Sequence, residues 1–281
     1  VYELMSLQGR RALITGANGE IGKRMATTIA ELGGDLILVD RLGTEYGALL
    51  DTLQSISDGK VTCLDCDLED GNARSELIRD LSEQEGKLSI LINNAAFVGS
   101  SDLEGWTTGF QDQNIETWRR ALEVNLTASF DLSKGLTPML KQSRHGSIIN
   151  IASIYGREYG GSAPYMAAKA ALIAATKHTA IDIAKTGVTA NCIAPGSIKH
   201  AKGSWEKFVL NNSKKDVETF IQNNLPMGKF GFPEAIGDTV SFLASKNASM
   251  ILGTCLNVDG GQSSNCLLYT SPSPRAATLS R

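Results

Sequence analysis

The sequence predicts an α/β fold in which helices cover both faces of a doubly wound parallel sheet. Short, continuously apolar runs of strand length alternate along the chain with amphipathic stretches of helix length. Each connection between strands is long enough for a crossover helix, and uninterrupted apolar strands are typical of a parallel sheet buried on both faces. A chain of 281 residues, 42% of them hydrophobic, is long enough for one such domain with a full core.

Strand and helix alternate in order along the chain. Four predicted strands read RALIT, DLILVD, KVTCLD and LSILIN. Helices are predicted between them, from about Glu20 to Leu32, from Glu45 to Ile56 and from Asn72 to Glu85. A helix from about Ile115 to Leu132, the strand SIINIA and a long helix from Tyr165 to Ala184 continue the pattern. The carboxyl ends of such strands lie along one edge of the sheet, where open α/β sheets bind their ligands.

The stretch from Gly146 to Lys169 is predicted to carry the chemistry. Ser153 follows the strand SIINIA, and Tyr165 and Lys169 lie one turn apart on the same face of the next helix. A lysine cation about 4 Å from a phenol is predicted to lower the phenol pKa by up to roughly three units. Tyr165 is therefore a candidate general acid and base, and Ser153 a candidate hydrogen-bond partner of the same substrate oxygen. A tyrosine four residues before a lysine also arises by chance in many helices, so this motif alone is weak.

A glycine-rich turn after the first strand predicts a phosphate-binding site. It reads TGANGEIG over residues 15–22, and its glycines let the backbone and the first helical amides approach a pyrophosphate. Asp40 closes the second strand about 24 residues after Gly16, where a carboxylate would bind the ribose hydroxyls of adenosine. An ordinary turn residue at a strand end is the alternative interpretation of Asp40. Together the turn and the carboxylate favour a dinucleotide cofactor.

Several further motifs occur in a fixed order: TGANGEIG, Asp67-Leu68, Asn93-Asn94-Ala95-Ala96, Asn125, Ser153, Tyr165 with Lys169, and Pro195-Gly196. In this order they resemble the short-chain dehydrogenase/reductase family from about Leu7 to Asn265. The resemblance implies a seven-stranded Rossmann sheet, a nicotinamide cofactor, and an enzyme that interconverts a secondary alcohol and a ketone. After the final helix in GFPEAIGDTVSFLAS, the run ILGTCLNVDGG resembles the family's last strand and closing turn.

The resemblance implies a catalytic tetrad of Asn125, Ser153, Tyr165 and Lys169. Carried over residue by residue, Tyr165 exchanges a proton with the substrate oxygen, and Ser153 holds and polarises that oxygen. Lys169 would lower the pKa of Tyr165 and bind the nicotinamide ribose. Asn125 would hold a water that links Lys169 to solvent. The hydride chemistry itself belongs to the cofactor.

The cofactor contacts are likewise implied by the resemblance. Asp67 and Leu68 would contact adenine, Asn94 the adenosine side, and Ile198 the nicotinamide carboxamide. The predicted cofactor-binding residues are Gly16, Asn18, Gly19, Ile21, Gly22, Asp40, Arg41, Asp67, Leu68, Asn94, Ala95, Tyr165, Lys169, Pro195, Gly196 and Ile198.

Asp40 and Arg41 point to different forms of the cofactor. NAD(H) is favoured, because the Asp40 carboxylate would repel the 2′-phosphate of NADP(H). An arginine beside that position binds the phosphate in some relatives, so Arg41 keeps NADP(H) open. Two residues also depart from the family pattern, since Glu20 and Ala96 stand where glycine is usual. A carboxylate beside a pyrophosphate would repel it, and Glu20 is therefore expected to point outward.

Two variable regions are candidate substrate-binding elements. The connection from Asn94 to Asn125 is about seven residues longer than is common in the family, and it carries Trp106. Residues 197–232, with the helical stretch GSWEKFVLNNSKKDVETFIQNN, resemble the family's mobile substrate lid. The side chains that would bind substrate hydroxyls if they face inward are Ser100, Ser101, Asp102, Glu104, Thr107, Thr108, Glu158 and Tyr159.

The substrate prediction rests on weaker resemblances. NNAA, Glu20, the Trp106 loop and IASIYG resemble a branch with members encoded among surface-sugar biosynthesis enzymes, which favours a polar, sugar-like alcohol or ketone. A 3-oxoacyl thioester on a carrier protein is the first alternative, and a small apolar ketone or steroid is another. A basic patch near the lid would suit a carrier protein, although a solvated helix accounts for it equally well. The patch consists of Lys199, Lys202, Lys207, Lys214 and Lys215.

Composition and motifs disfavour several other classes of protein. The formal net charge of −3 offers no basic field for nucleic acid or anionic membrane. No apolar run approaches about 18 residues and the first residues do not form a signal peptide, so a cytoplasmic protein is expected. Neither a disulfide framework nor a metal site is predicted, since the 5 cysteines are an odd number and Cys63 and Cys66 would point to opposite faces of a strand.

Ser153 lacks the flanking glycines of a nucleophile elbow, which excludes a serine hydrolase. A redox-sensing or structural Rossmann protein usually lacks the tyrosine or lysine found here.

The assembly and the chain ends complete the expectations. The family resemblance implies a homotetramer, and the two long helices carry apolar residues round more than one face, as helices that meet a partner subunit do. Residues 7–265 are expected to form the domain. Residues 266–281 are expected to be a disordered tail, because they are rich in serine and proline and show no periodicity. CLLYTSPSPR within them resembles a translated sequencing adapter, so whether the tail is native stays open.

Overall fold

The computed structural model describes residues 5–84, 87–143 and 145–264. Within these residues, seven parallel strands form one sheet in the order β3-β2-β1-β4-β5-β6-β7. This confirms the predicted seven-stranded, doubly wound α/β sheet. The strands are β1 Arg11–Thr15, β2 Asp35–Asp40, β3 Val61–Asp65, β4 Ile90–Asn93, β5 Ser147–Ile151, β6 Thr189–Pro195 and β7 Cys255–Val258.

Helices occupy the crossovers between the strands. Those in the described part of the chain are α1 Glu20–Glu31, α2 Gly47–Ile56, α3 Gly71–Glu83, α4 Ile115–Leu122, α5 Ala128–Lys141, α6 Ala163–Ile183, α7 Ser204–Asn211, α8 Lys214–Asn224 and α9 Pro233–Ala244. The predicted helix from Ile115 differs most from the structure. A π-helical turn, Glu123–Thr127, separates α4 from α5, and α5 continues to Lys141. A π turn inserts one residue into a helix, and such turns are frequent at functional sites.

The sheet is buried on both faces, which accounts for its uninterrupted apolar strands. Leu36 and Leu38 of β2 pack on the face that α1 and α9 cover. Ile37 and Val39, which alternate with them, pack on the opposite face against α3 and α5. Each fully buried leucine, isoleucine or valine side chain contributes roughly 1.5–3 kcal/mol to the hydrophobic stabilisation.

The segment between β6 and α9 forms a small unit of its own. Its base is closed by a parallel bridge between Ile198 and Gly231, with the Gly231 amide donating to the Ser197 carbonyl at 2.9 Å. The sequence predicted one helical stretch here, and the structure divides it into α7 and α8. The division falls where Ser213 caps α8 by accepting a hydrogen bond from the Asp216 amide. Four aromatic rings pack together inside the unit: Trp205, Phe208, Phe220 and Phe230.

Part of the predicted organisation falls beyond Ser264, the last described residue. The end of the predicted domain at Asn265 and the predicted tail, residues 266–281, lie outside the described residues. Across the described ranges, no helix is long and apolar enough to cross a membrane. No group of three or more His, Cys, Asp or Glu side chains among those residues is arranged to hold a metal ion.

Candidate active site

The glycine turn after β1 brings three backbone segments into close contact. Gly16 has a φ of +63°, which favours glycine, and a Cβ there would lie 2.8 Å from the Ala95 Cα. A Cβ on Gly22 would lie 2.2 Å from the Gly16 carbonyl oxygen. Gly19 precedes α1, and no side chain caps the first amides of that helix. The turn therefore leaves room for a phosphate group and presents helix amides to it.

Asn94 and Thr15 join this turn to the end of β4. The Asn94 side-chain amide donates to the backbone carbonyls of Thr15 (2.9 Å) and Gly16 (3.0 Å). In return, the Thr15 hydroxyl accepts from the backbone amides of Asn94 (3.0 Å) and Ala95 (3.1 Å). Because β1 and β4 are neighbours at the point where the strand order reverses, these bonds fix the shape of the ligand edge of the sheet.

Asp40 lies at the rim of the same edge with both carboxylate oxygens oriented by the backbone. One oxygen accepts from the Asn18 amide and the other from the Arg41 amide, each at 2.9 Å. A carboxylate oxygen can accept more than one hydrogen bond, so this anchoring leaves capacity for hydroxyl groups of a ligand. Glu20 also borders this edge and pairs with Lys23 at 3.1 Å, which offsets its negative charge beside the glycine turn.

Two adjoining cavities hold all the predicted cofactor-binding residues. A groove of about 920 Å³ runs over the ends of β1 to β4. It is lined by the predicted cofactor-binding residues from Gly16 to Ala95 in the sequence, including Asp67 and Leu68. A cleft of about 340 Å³ is lined by Tyr165, Lys169, Pro195, Gly196 and Ile198. A glycine cradle, an uncapped helix start and an oriented carboxylate fit a dinucleotide lying along the groove with its reactive end in the cleft. The predicted cofactor-binding residues all line these two cavities, and their individual contacts with a cofactor stay predictions.

The cleft brings three members of the predicted tetrad together. The Tyr165 hydroxyl lies beside the Ser153 side chain. The Lys169 ammonium group donates to the Ile151 carbonyl at 2.7 Å and lies 5.8 Å from the centre of the Tyr165 ring. Ser153 and Lys169 are buried. All three side chains border the same small space, where a substrate oxygen would meet two hydroxyl groups.

The electrostatics of this group differ from the sequence prediction. Burial raises the pKa of Tyr165, the negative charge of an ionised Tyr155 would raise it further, and the Ser153 side chain beside it opposes the rise. Burial lowers the pKa of Lys169 to about 8. The prediction that Lys169 by itself brings the phenol pKa near neutrality is therefore wrong for these side chains. The physical reason is that the ammonium group is directed to the Ile151 carbonyl, and that burial away from water destabilises its charged form.

Asn125, the fourth predicted member, is fully buried inside the π turn. Its side-chain oxygen accepts from the Phe97 amide at 2.7 Å, and its side-chain nitrogen donates to the Phe97 carbonyl at 2.9 Å. This pair of bonds fastens the start of the long loop that follows β4. The role of Asn125 in holding a water stays a prediction.

Some side chains that shape the site were missed from the sequence. Arg74 of α3 is buried and donates to the Leu68 carbonyl (2.6 Å), to Glu123 (2.7 Å) and to Asp131 (2.9 Å). It thereby joins the predicted adenine-binding loop to the π turn and α5. No local sequence pattern marks this arginine, because its three partners come from distant parts of the chain.

The predicted hydroxyl-binding side chains divide among three locations. Thr107 lines the cleft, Ser101 and Asp102 line the groove, and Ser100 lines both. Tyr159 is 94% exposed, so it does not meet the condition of facing inward. Neither cavity is lined by Glu104, Thr108 or Glu158. The cleft has further lining residues that the sequence did not single out for this role: Tyr155, Ser162, His200, Ser204 and Trp205.

This fold and these cavities fit a nicotinamide-dependent oxidoreductase of the Rossmann class. A family model described as Enoyl-(Acyl carrier protein) reductase matches residues 16–263. Curated relatives include the 3-oxoacyl-[acyl-carrier-protein] reductases of Rickettsia bellii, 35% identical over 259 residues, and of Escherichia coli, 34% identical over 263 residues. Both alignments cover 92% of this chain and 98% of the relative. The chain belongs to the short-chain dehydrogenase/reductase family.

Solved structures of the family match over nearly the same span. A short-chain dehydrogenase/reductase from Burkholderia xenovorans is 32% identical, with a TM-score of 0.81 over 92% of this chain and 98% of that one. L-sorbose reductase from Gluconobacter frateurii, solved with NADPH and L-sorbose, is 25% identical, with a TM-score of 0.83 over 94% of this chain and 100% of that one. Cofactor use of the NAD(P)(H) type follows from membership of the family.

The buried Lys169 predicts a pH-dependent stability. Its pKa falls from 10.5 to about 8 on folding, so between these values the unfolded chain holds a proton that the folded chain has released. The difference in free energy of unfolding between the unaltered protein and Lys169→Met should therefore increase in favour of the unaltered protein. The increase should be on the order of 3 kcal/mol as pH rises through this window. Urea denaturation at a series of pH values measures it. Lys177→Met, at an exposed position of the same helix, is the control and should show no such rise. A flat difference for Lys169→Met would contradict the burial of a charged lysine.

Proposed function

We propose that this chain transfers a hydride between NAD(P)(H) and a secondary alcohol or ketone in a polar, sugar-like molecule. Membership of the family carries the oxidoreductase activity and the type of cofactor. The observation that supports the chemistry best is the meeting of Tyr165, Ser153 and Lys169 in the cleft that continues the groove. The substrate class and the role of each side chain are the proposal.

The side chains act on the substrate oxygen. When bound, the cofactor supplies or accepts the hydride. In the direction of reduction, Tyr165 donates its proton to the carbonyl oxygen, which Ser153 holds by a hydrogen bond. In the direction of oxidation, Tyr165 takes the proton back. Lys169, one turn along α6, stabilises the phenolate that remains and binds the nicotinamide ribose. Proton transfer of this kind typically contributes about 10²–10⁴-fold to the rate.

The lining of the cleft supports a polyhydroxylated substrate. Ser100, Thr107, Ser162 and Ser204 bring hydroxyl groups to it, and its lining contains no carboxylate from the described part of the chain. Two tryptophans, at positions 106 and 205, add broad apolar faces. Hydroxyl groups beside aromatic rings suit a small molecule that has both polar and apolar surfaces. The likeness to a reductase that binds L-sorbose supports the same class.

A 3-oxoacyl thioester is the second candidate substrate, because the curated relatives quoted above reduce such compounds on acyl carrier protein. Lysines on the segment 197–232 would suit an acidic carrier protein. Lys199, Lys202, Lys207, Lys214 and Lys215 are all exposed. We infer that this segment acts as the substrate lid for either candidate, since Ser204 and Trp205 at the start of α7 line the cleft.

The cofactor preference is predicted to be for NAD(H). The oriented Asp40 carboxylate would accept hydrogen bonds from the adenosine ribose and repel a 2′-phosphate. Fluorescence titration should show tighter binding of NADH than of NADPH. Asp40→Asn should weaken NADH binding by roughly 10-fold or more, because it removes a charged hydrogen-bond acceptor, and should strengthen NADPH binding.

Asp65→Asn is the matched control for this titration, since Asp65 pairs with Asp40 in the sheet register and does not line the groove. It should change neither affinity. Tighter binding of NADPH by the unaltered protein would overturn the preference and assign the phosphate to the exposed Arg41.

We also infer a homotetramer. Supporting it are large apolar side chains that α4, α5 and α6 leave exposed, namely Ile115, Phe130 and Ile181. Helices that cover a sheet and also carry outward apolar residues suit contact with a second copy. Light scattering at micromolar concentration should give four times the mass of one chain, and a monomer would count decisively against it.

The substrate itself is tested by following NAD(P)H absorbance with polyols, nucleotide sugars, acetoacetyl thioesters and simple ketones. We expect turnover of a polyhydroxylated compound. Tyr165→Phe should lose at least about 100-fold in kcat and keep cofactor affinity, since it removes the transferable proton and little volume. Tyr159→Phe, at an exposed position, should match the unaltered protein. Activity confined to acyl thioesters would exclude the sugar-like class and leave the role of Tyr165 intact.

A further inference from the structure

The long loop between β4 and α4 buries its only tryptophan against the catalytic tyrosine. Trp106 is 2% exposed, although it belongs to a loop without regular strands. Its indole meets the Tyr165 ring edge to face, with ring centres 6.4 Å apart and planes at 89°. This is a favourable geometry for two aromatic rings, because the positive edge of one faces the negative face of the other. Trp106 also lines the cleft.

The position of the indole is fixed from several sides. Its Nε1 donates to the Val98 carbonyl at 2.8 Å, and the Val98 carbonyl also accepts from the Ser101 amide at 2.8 Å. Gly105, immediately before it, has a φ of +68°, and a Cβ there would lie 2.6 Å from the Asn114 amide nitrogen. The start and the middle of the loop are fastened to the π turn and to α4, respectively. Phe97 is held by Asn125, and the Glu104 carbonyl accepts from the Thr117 hydroxyl at 2.7 Å.

The indole acts on Tyr165 by excluding water rather than by charge. The titratable groups and the serine that neighbour Tyr165 lie outside the loop that carries Trp106. Lys169 is on its own helix, Ser153 and Tyr155 are on the turn after β5, and His200 borders the same cleft. The indole N–H is already used by Val98, so the side chain presents only its apolar ring to the phenol. An apolar surface that excludes water disfavours the charged phenolate and keeps the Tyr165 ring in one orientation.

We infer that Trp106 is a positioning residue that orients Tyr165, keeps its phenol protonated, and forms the wall that limits the size of the substrate. The inference rests on the proposed role of Tyr165 as general acid and base. By this inference the long loop takes part in catalysis. One side chain, Trp106, would affect both which substrates fit the cleft and how Tyr165 transfers its proton.

The test compares Trp106→Ala with Trp106→Phe. Alanine admits water, so the pKa of Tyr165 should fall, whereas phenylalanine retains an aromatic wall and should keep it close to the original value. Phenolate absorbance in the near ultraviolet measures this without turnover. The contribution of Tyr165 is obtained by subtracting the same titration in a variant that also carries Tyr165→Phe. Trp118→Ala, in α4 and outside both cavities, is the control for loss of a tryptophan and should leave the titration unchanged.

Kinetics give a second readout. In the direction of reduction the protonated phenol is required, so the loss of kcat at alkaline pH should begin at a lower pH in Trp106→Ala. Trp106→Ala should also lower kcat about 10-fold or more at its optimum and accept bulkier ketones, because the wall is gone. Trp106→Phe should restore most of kcat.

The outcomes separate the two proposals. If Tyr165→Phe is inactive but Trp106→Ala keeps the titration, the pH profile and the substrate range of the unaltered protein, this inference is overturned and the proposed function stands. If Tyr165→Phe remains active, both fall. Should Trp106→Ala fail to fold, Trp106→Thr carries the same test, since threonine fills part of the volume but brings a hydroxyl group and admits water beside the phenol. An unchanged Tyr165 titration in Trp106→Thr would overturn the inference.

Discussion

The close approach of the backbone at Gly16 to the end of β4 is the constraint on which the site depends. A side chain at that position would overlap the Ala95 Cα, so the two segments meet only because glycine is present. The hydrogen bonds between Asn94 and Thr15 then fix their separation. With this edge of the sheet closed, the groove for the cofactor opens directly above it, and the cleft follows at the next strands. Local backbone geometry at one turn therefore sets the path along which a dinucleotide would lie.

A series of buried hydrogen bonds sets the register of α6, the helix that carries Tyr165, on the sheet. The Asn93 side chain donates to Asn150, and Asn150 donates to Thr176 of α6, both at 2.8 Å. These bonds cross from β4 to β5 and on to the helix that carries Tyr165. Buried polar groups are costly unless they are paired. Sliding the helix by one turn would break these hydrogen bonds and leave their groups unpaired. The alignment of Tyr165 with Ser153, at the end of β5, is thereby set from inside the core.

The sequence predicted what local patterns can encode. Strands such as Asp35–Asp40 and the face shared by Tyr165 and Lys169 follow from spacing, and the structure has both. The π turn around Asn125, the Arg74 contacts and the indole against Tyr165 depend on partners far along the chain, so no local pattern indicates them. The predicted lowering of the Tyr165 pKa by Lys169 is wrong for a related reason. Spacing gives the distance to a lysine, but the degree of burial and the direction of its ammonium group are tertiary properties.

The aromatic cluster in the segment after β6 has a mechanical consequence. Trp205, Phe220 and Phe230 pack with ring centres 5.0 to 5.9 Å apart, so α7 and α8 share a core that is separate from the two layers against the sheet. A unit with its own core can pivot as a rigid body, because turning it exposes little of that core to water. In the proposed role of this segment as a lid, the pivot would be the pair of backbone connections at Ile198 and Gly231. The stiffness of these two short connections would then govern entry to the cleft, so that substitutions beside them would change the rate of opening without altering the lining of the cleft.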